Sequence, residues 1–330
     1  MQSETLLLRR SEIERVVSLK ECIDAVEEVF RLRGNGQIPA AGILGVKATN
    51  GSLHVKAALL PRDKNYIVAK LNTNFSGNRA QSGLPTIQGV IVLYDGENGC
   101  PLAVLDSTDI TIKRTAAASA VAAKYLARPN SFVGTICGCG QQGRAHVRAL
   151  QEVLPLEKIY AFDLDNQAAR DLATELAAEL DLQIKPAGDL QQAIQESDVC
   201  VTCTPSRQFF IRREDVSPGT FIAAVGADNE DKQEIDPELM ALSKVIVDSV
   251  EQCSTIGDLH HAISAGLMQP EDVHAELAEV VTGQKAGRIS ADEIIIFDST
   301  GVAIEDAISA IAVYQKACSA RIGSYFDFAT

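Results

Sequence analysis

The chain has 330 residues, 46% of them hydrophobic, and 23 glycines, enough apolar material to bury a large core in two lobes. Its 30 basic against 44 acidic side chains leave a net charge of −14, which argues against a nucleic-acid surface or an anionic membrane as the main partner; a small anionic ligand needs a local basic pocket. No apolar run approaches about 18 residues, "MQSETLLLRRSEIERVV" lacks a signal-peptide stretch, and eight scattered cysteines suit reduced, buried thiols, so a cytoplasmic protein is expected.

In chain order, a helix is predicted near 18–33. Short strands follow in "ILGVKAT", "LHVKAAL", "YIVAKLN", "TIQGVIVLYD" and "PLAVLD", separated by Gly, Asn and Asp turns, which predicts a mostly antiparallel sheet. "STDITIKRTAAASAVAAKYLA" reads as a close-packed helix with Ser107 or Thr108 as N-cap. Lys56, Lys70 and Arg114 are cations set in apolar stretches of this lobe, and buried cations need partners. They can converge on a ligand carboxylate, Arg114 being suited to a two-pronged contact, or pair with core acids, or snorkel to the surface. Lys113 lies about 100° further round the helix and faces elsewhere. His54 shares a strand face with Lys56, although a plain core or surface histidine is the simpler reading.

From Ser131 to Ser249 short β-branched runs alternate with helical stretches at 141–152, 166–180 and 189–197, the pattern of a parallel, doubly wound sheet. "GCGQQG" places Gly138, Gly140 and Gly143 in a G-x-G-x-x-G turn between strand and helix, and Asp163 ends the next strand about 20 residues on. Gly138 permits the tight turn, Gly140 lets the backbone approach a pyrophosphate, and Gly143 lets helix and strand pack closely. Asp163 repels a 2′-phosphate, so NAD(H) is favoured over NADP(H); Arg170 lies in the following helix and points to solvent. Cys200 and Cys203 have C-x-x-C spacing but point to opposite faces of a strand, which disfavours a metal there, and the adjacent His260 and His261 diverge on a helix. Asp228 lies just past a strand, at the sheet edge where such folds bind ligands, placed either to exchange a proton with a substrate or to cap the helix that begins near Asp236; Glu230 and Asp231 read as solvated loop charges. "EIIIFDSTG" and the helix "VAIEDAISAIAVYQKACS" follow.

Together "PLAVLDSTDITIKRTAAASAVAAKYLA", "ICGCGQQG", "VGADNEDKQEID" and "FDSTGVAIEDA" resemble the ornithine cyclodeaminase/μ-crystallin family over nearly the whole chain. The resemblance implies an α/β protein: a Rossmann doubly wound sheet at 128–299 and an α+β substrate and dimerisation domain built from 1–127 and 300–330. It further implies a homodimer, NAD as cofactor, and hydride transfer between the nicotinamide and C2 of a small amino or imino acid. Position by position, Lys70 and Arg114 match the family's carboxylate binders, Thr86 lies in a stretch that lines the site, Asp228 matches the acid/base, and Glu251 lies near the substrate. Gln141, Gln142, Thr115, Thr204, Val225 and Gly301 fall with the glycine turn and Asp163 among the implied cofactor contacts. Two departures stand out. Pro39-Ala40-Ala41 lacks the arginine that many members carry two residues after a proline, and "VKAA" replaces a familiar "MPAY", introducing Lys56. Lys56 is therefore expected to substitute for that arginine, or to read a second, side-chain carboxylate. The "GAD…KQE" loop resembles the dehydrogenase and imine reductase branch more than the cyclodeaminase, which with a non-catalytic crystallin-like binder forms the alternative.

Overall fold

The computed structural model describes residues 4–328, the side chains of positions 79 and 80 excepted. Two compact units divide the chain, residues up to Arg114 together with those from Val302 onward, and Thr115–Gly301.

The first unit contains β1 (Glu4–Leu8), α1 (Arg10–Val16), α2 (Leu19–Gly34), β2 (Gly42–Ala48), β3 (Gly51–Pro61), β4 (Asn65–Asn74), α3 (Asn78–Ser82), β5 (Ile87–Asp95) and β6 (Pro101–Asp106), and α4 (Thr108–Leu126) runs on from it into the second. The second unit holds β7 (Val133–Cys137), α5 (Gln141–Gln151), β8 (Lys158–Phe162), α6 (Asn166–Leu180), β9 (Gln183–Pro186), α7 (Leu190–Gln195), β10 (Val199–Thr202), β11 (Arg207–Ile211), β12 (Phe221–Ala224), β13 (Gln233–Ile235), α8 (Pro237–Leu242) and β14 (Lys244–Val247). It ends with α9 (Val250–Ile256), α10 (Asp258–Ser264), β15 (Ala275–Glu276), α11 (Leu277–Val281) and β16 (Ile295–Asp298), after which α12 (Ala303–Ala320) and β17 (Ser324–Asp327) return to the first unit.

In the first unit seven strands lie in the order β17-β1-β6-β5-β4-β3-β2, antiparallel except for the parallel pair β1 and β6. Alternation along the strands buries Ala58, Leu60, Tyr66, Val68, Ile91 and Leu93 on one face, and α12 packs on β3, β4 and α2. Helix α2 starts where Ser18 accepts the Glu21 N–H and Glu21 answers the Ser18 N–H, and Cys22, Ile23, Val26, Val29 and Phe30 form its buried stripe. At the start of α4 the Ser107 hydroxyl donates to Asn72 and Asp106 accepts the Thr108 N–H. The pairing of β1 with β17 joins the two ends of the chain, and neither strand is signalled locally in the sequence.

The second unit is an eight-stranded, wholly parallel sheet in the order β15-β14-β16-β12-β10-β7-β8-β9, accompanied by the small parallel pair β11 and β13. The winding reverses between β7 and β10, so the crevice beyond the carboxyl ends of those two strands is where such a sheet receives a ligand. The chain is thus α/β, a doubly wound sheet plus an α+β unit made from both chain ends. No helix among the described residues is long and apolar enough to cross a membrane.

Candidate functional site

The glycine turn occupies that reversal. Gly138 leaves β7 with φ +101°, a conformation side chains avoid, and a Cβ on it would meet the Cys203 carbonyl oxygen at 2.9 Å. A Cβ on Gly143 would stand 2.0 Å from the Gly138 carbonyl oxygen, so α5 can approach its own turn only as glycine. Gly140, the N-cap of α5, has nothing within 4 Å of its Cβ direction, which leaves open space before the unpaired N–H groups of Gln141, Gln142 and Gly143. The three glycines therefore answer three different demands, and together they fit a pyrophosphate. Gly143→Ala is expected to push α5 off the turn and weaken nicotinamide dinucleotide binding by roughly tenfold or more in a fluorescence titration; wild-type affinity in the variant contradicts this.

Asp163 sits beside the turn. Its carboxylate accepts the Cys139 N–H at 2.8 Å and the Asp165 N–H at 2.9 Å, which fixes it at the end of β8. Arg170 is exposed and donates to Gln167, so it supplies no cation at Asp163. His146, behind the turn, is fully buried; burial holds its pKa down at about 4. The Gln142 carbonyl 2.8 Å from Nδ1 can only accept, so the neutral ring carries its proton there and Nε2 accepts from the Ser119 hydroxyl at 3.0 Å. His260 and His261, expected to diverge, instead pack edge to face with centroids 5.2 Å apart.

Past β12, Asp228 is exposed, 2.7 Å from the Lys232 amine and 3.2 Å from the Asn229 amide. Helix α8 is capped by Asp236, whose carboxylate accepts the Glu238 N–H, which removes the capping role considered for Asp228. The Thr204 N–H and hydroxyl donate to Glu234, Val225 donates its N–H to Thr202, and Gly301, at φ +76°, donates its N–H to Asp248. Thr115 is buried in α4, and Glu251 is exposed in the first turn of α9.

In the first unit the cations meet acids. Lys70 and Arg114 are 5% and 6% exposed. Arg114 donates to Asp306 at 2.9 Å and Glu305 at 2.8 Å, and Lys70 stands 2.6 Å from the other Asp306 oxygen. Lys56 pairs directly across the strands with Lys70, which sets their Cβ atoms roughly 4.5–5.5 Å apart on the face that α12 covers. Lys56 is half-buried rather than buried. Desolvation brings the Lys70 pKa down to about 7, with Asp306 resisting and Arg114 and Lys56 adding to the fall. His54 shares this face, exposed and bonded to Ser52, while Thr86, the residue before β5, is half-buried. Sequence reasoning missed Glu305 and Asp306. The available signal is two adjacent acids in the apolar helix "VAIEDAISAIAV", the natural partners of buried cations. It also missed the buried acids Glu234, Asp248, Asp258 and Asp298 of the second unit.

The profile of the ornithine cyclodeaminase/mu-crystallin family matches residues 3–321. An alanine dehydrogenase of Archaeoglobus fulgidus is 39% identical over 326 residues, 98% of this chain and 99% of its own. Among solved structures, an archaeal alanine dehydrogenase dimer with bound NAD superposes with a TM-score of 0.93 at 39% identity, covering 98% of this chain and 99% of that one. The Thermococcus litoralis Δ1-pyrroline-2-carboxylate reductase in complex with NADH and L-proline follows at 0.91 and 36%, covering 97% and 99%.

Proposed function

The chain belongs to the ornithine cyclodeaminase/mu-crystallin family, and from that premise we propose that it is an NAD(H)-dependent amino acid dehydrogenase or imino acid reductase acting on a small 2-amino or 2-imino acid. The observation that carries this reading is the buried pair Lys70 and Arg114, locked by Asp306 and Glu305, in a chain that also bears a dinucleotide turn. Gly138, Gly140, Gln141, Gln142 and Gly143 hold the pyrophosphate, Asp163 takes the adenosine ribose hydroxyls, and Thr115, Thr204, Val225 and Gly301 line the nicotinamide end. Bound NADH supplies a hydride for C2 of the substrate. Arg114 and Lys70 hold the carboxylate on C2, their geometry set in advance by the two acids behind them, and Thr86, His54 and Glu251 line the remainder. Asp228 exchanges the proton on the substrate nitrogen, and its exposure lets it recover that proton from water.

Lys56, across from Lys70, adds a cation where the family arginine is missing. Lys56→Ala is expected to raise KM by roughly tenfold or more with little change in thermal stability; an unchanged KM contradicts the assignment. A rise confined to four-carbon diacids assigns Lys56 to a side-chain carboxylate.

A homodimer in the cytoplasm belongs to this reading. The outward sheet face exposes Leu44, Val46, Ile67, Val90 and Tyr94 on neighbouring strands, an apolar stripe of the kind that marks an interface. Sedimentation equilibrium should give twice the chain mass, and Leu44→Glu should shift it toward one; a monomer in the wild type contradicts it.

NADH oxidation with pyruvate, glyoxylate, oxaloacetate or cyclic imines, with ammonia or methylamine where needed, tests the function. One NADH consumed per product is expected. Proline formed from ornithine with no net change in NADH assigns the cyclodeaminase reaction instead, and no turnover of any of these favours a non-catalytic binder.

A further inference from the structure

Under the loops that follow β10, β12 and β16 runs a series of fully buried carboxylates, each accepting hydrogen bonds from backbone N–H groups of a neighbouring segment. Glu234, on β13, accepts the Thr204 N–H and hydroxyl on Oε1, both at 2.6 Å, and the Gly226 N–H on Oε2 at 2.8 Å. Gly226 is pressed so closely on it that a Cβ would stand 2.4 Å from the Glu234 carboxyl carbon. The N–H groups of Glu234 and Ile235 then donate to Asp258 at 2.8 and 2.9 Å, and those of Asp258 and Leu259 to Asp298 at 3.3 and 2.9 Å. Beyond Asp298, the Gly301 N–H donates to Asp248 at 2.6 Å, joined by the Ser299 and Thr300 hydroxyls at 3.2 Å.

We propose that Glu234 is a positioning residue for the cofactor-facing edge of this sheet, an inference that rests on the NAD(H) reading above. Strands β10 and β12 are neighbours, and one carboxylate grips the loop beyond each, Thr204 after the first and Gly226 after the second, with Asp228 two residues further on. Only a group with an acceptor on both oxygens does this. Glutamine keeps one carbonyl, but its amide N–H would face an N–H already pointing at it. Burial raises the Glu234 pKa, and the donors from Thr204 and Gly226 oppose that rise, so the carboxyl and the two loops it joins depend on one another. Asp258 fixes Glu234 in turn through the two N–H groups of β13.

The test compares wild type, Glu234→Gln and Thr204→Val in the full-length protein. The readouts are hydrogen exchange across 225–232 without cofactor, the NADH dissociation constant by fluorescence, the primary isotope effect with C4-deuterated NADH, and KM for the amino or imino acid. Glu234→Gln should loosen exchange in that segment, weaken NADH by roughly tenfold or more and raise the isotope effect, while KM for the acid moves less than about twofold. Thr204→Val, which loses the hydroxyl and keeps the N–H, should shift the same readouts in the same direction by less. A folded Glu234→Gln with wild-type exchange, NADH affinity and isotope effect overturns the proposal. Should that variant fail to fold, an unchanged Thr204→Val overturns it equally. If wild type itself binds no NADH, the proposed function fails, and the exchange comparison alone still decides whether Glu234 orders the loop.

Discussion

Asp228→Asn is expected to lower kcat by about 10²- to 10⁴-fold, the usual worth of a positioned acid/base, while thermal stability stays within about 0.5 kcal/mol of wild type. The asymmetry follows from its surroundings. The side chain is 48% exposed and its contacts are with Lys232 and Asn229 from its own loop, so nothing in the core depends on it. Asparagine keeps the shape and an oxygen for Lys232 but cannot carry the proton. Steady-state kinetics with a thermal melt checks this, and a kcat within about threefold of wild type would remove Asp228 from the chemistry.

Asp306→Ala should act on the fold instead, lowering the unfolding free energy by about 3–5 kcal/mol, because one deletion strips a partner from two buried cations. Arg114 keeps Glu305, whereas Lys70 loses the acid 2.6 Å away that opposes its desolvation. The pH dependence identifies the source. A lysine whose folded pKa lies below its free value of 10.5 binds fewer protons folded than unfolded, so its contribution to stability rises with pH across the window between the two. In wild type that window opens at about 7; in the variant it opens lower, so the part of the deficit due to Lys70 grows as pH falls below about 7 and stays constant between there and 10.5, where Lys70 is neutral in both folded proteins. Denaturant unfolding at mildly acidic and at alkaline pH measures both terms. A deficit below about 1 kcal/mol would mean that the pair is not the buried, mutually dependent unit described here.

Much of this was legible in the sequence because it is written locally. Alternating β-branched runs and helices gave the parallel sheet, and Gly138 and Gly143 are each required by a contact within a few residues or one strand away, while Gly140 leaves the space before α5 open. Lys70 and Arg114 announced themselves as charges in apolar segments, but Glu305 and Asp306 lie about 190 residues beyond Arg114, and Asp306 still further from Lys70, and no period or spacing connects them. The same holds for β1 and β17, which pair only because the chain returns. Glu234 was hidden for the opposite reason. It sits in the polar run "NEDKQEID", where a solvated loop acid is the natural reading, yet it is fully buried because Thr204 and Gly226 fold over it. Burial of a charge is a property of what surrounds it in space, and composition alone does not reveal it.

The central claim is hydride transfer to C2 of a carboxylate-bearing imine, and isotope transfer tests it most directly. With NADH deuterated on one face at C4, a 2-oxo acid and ammonia, or a cyclic imine, mass spectrometry of the product should find one deuterium at C2 for each NADH consumed, from one of the two isotopomers only. An amino acid product without the label, or no consumption of NADH with any of these substrates, contradicts the account.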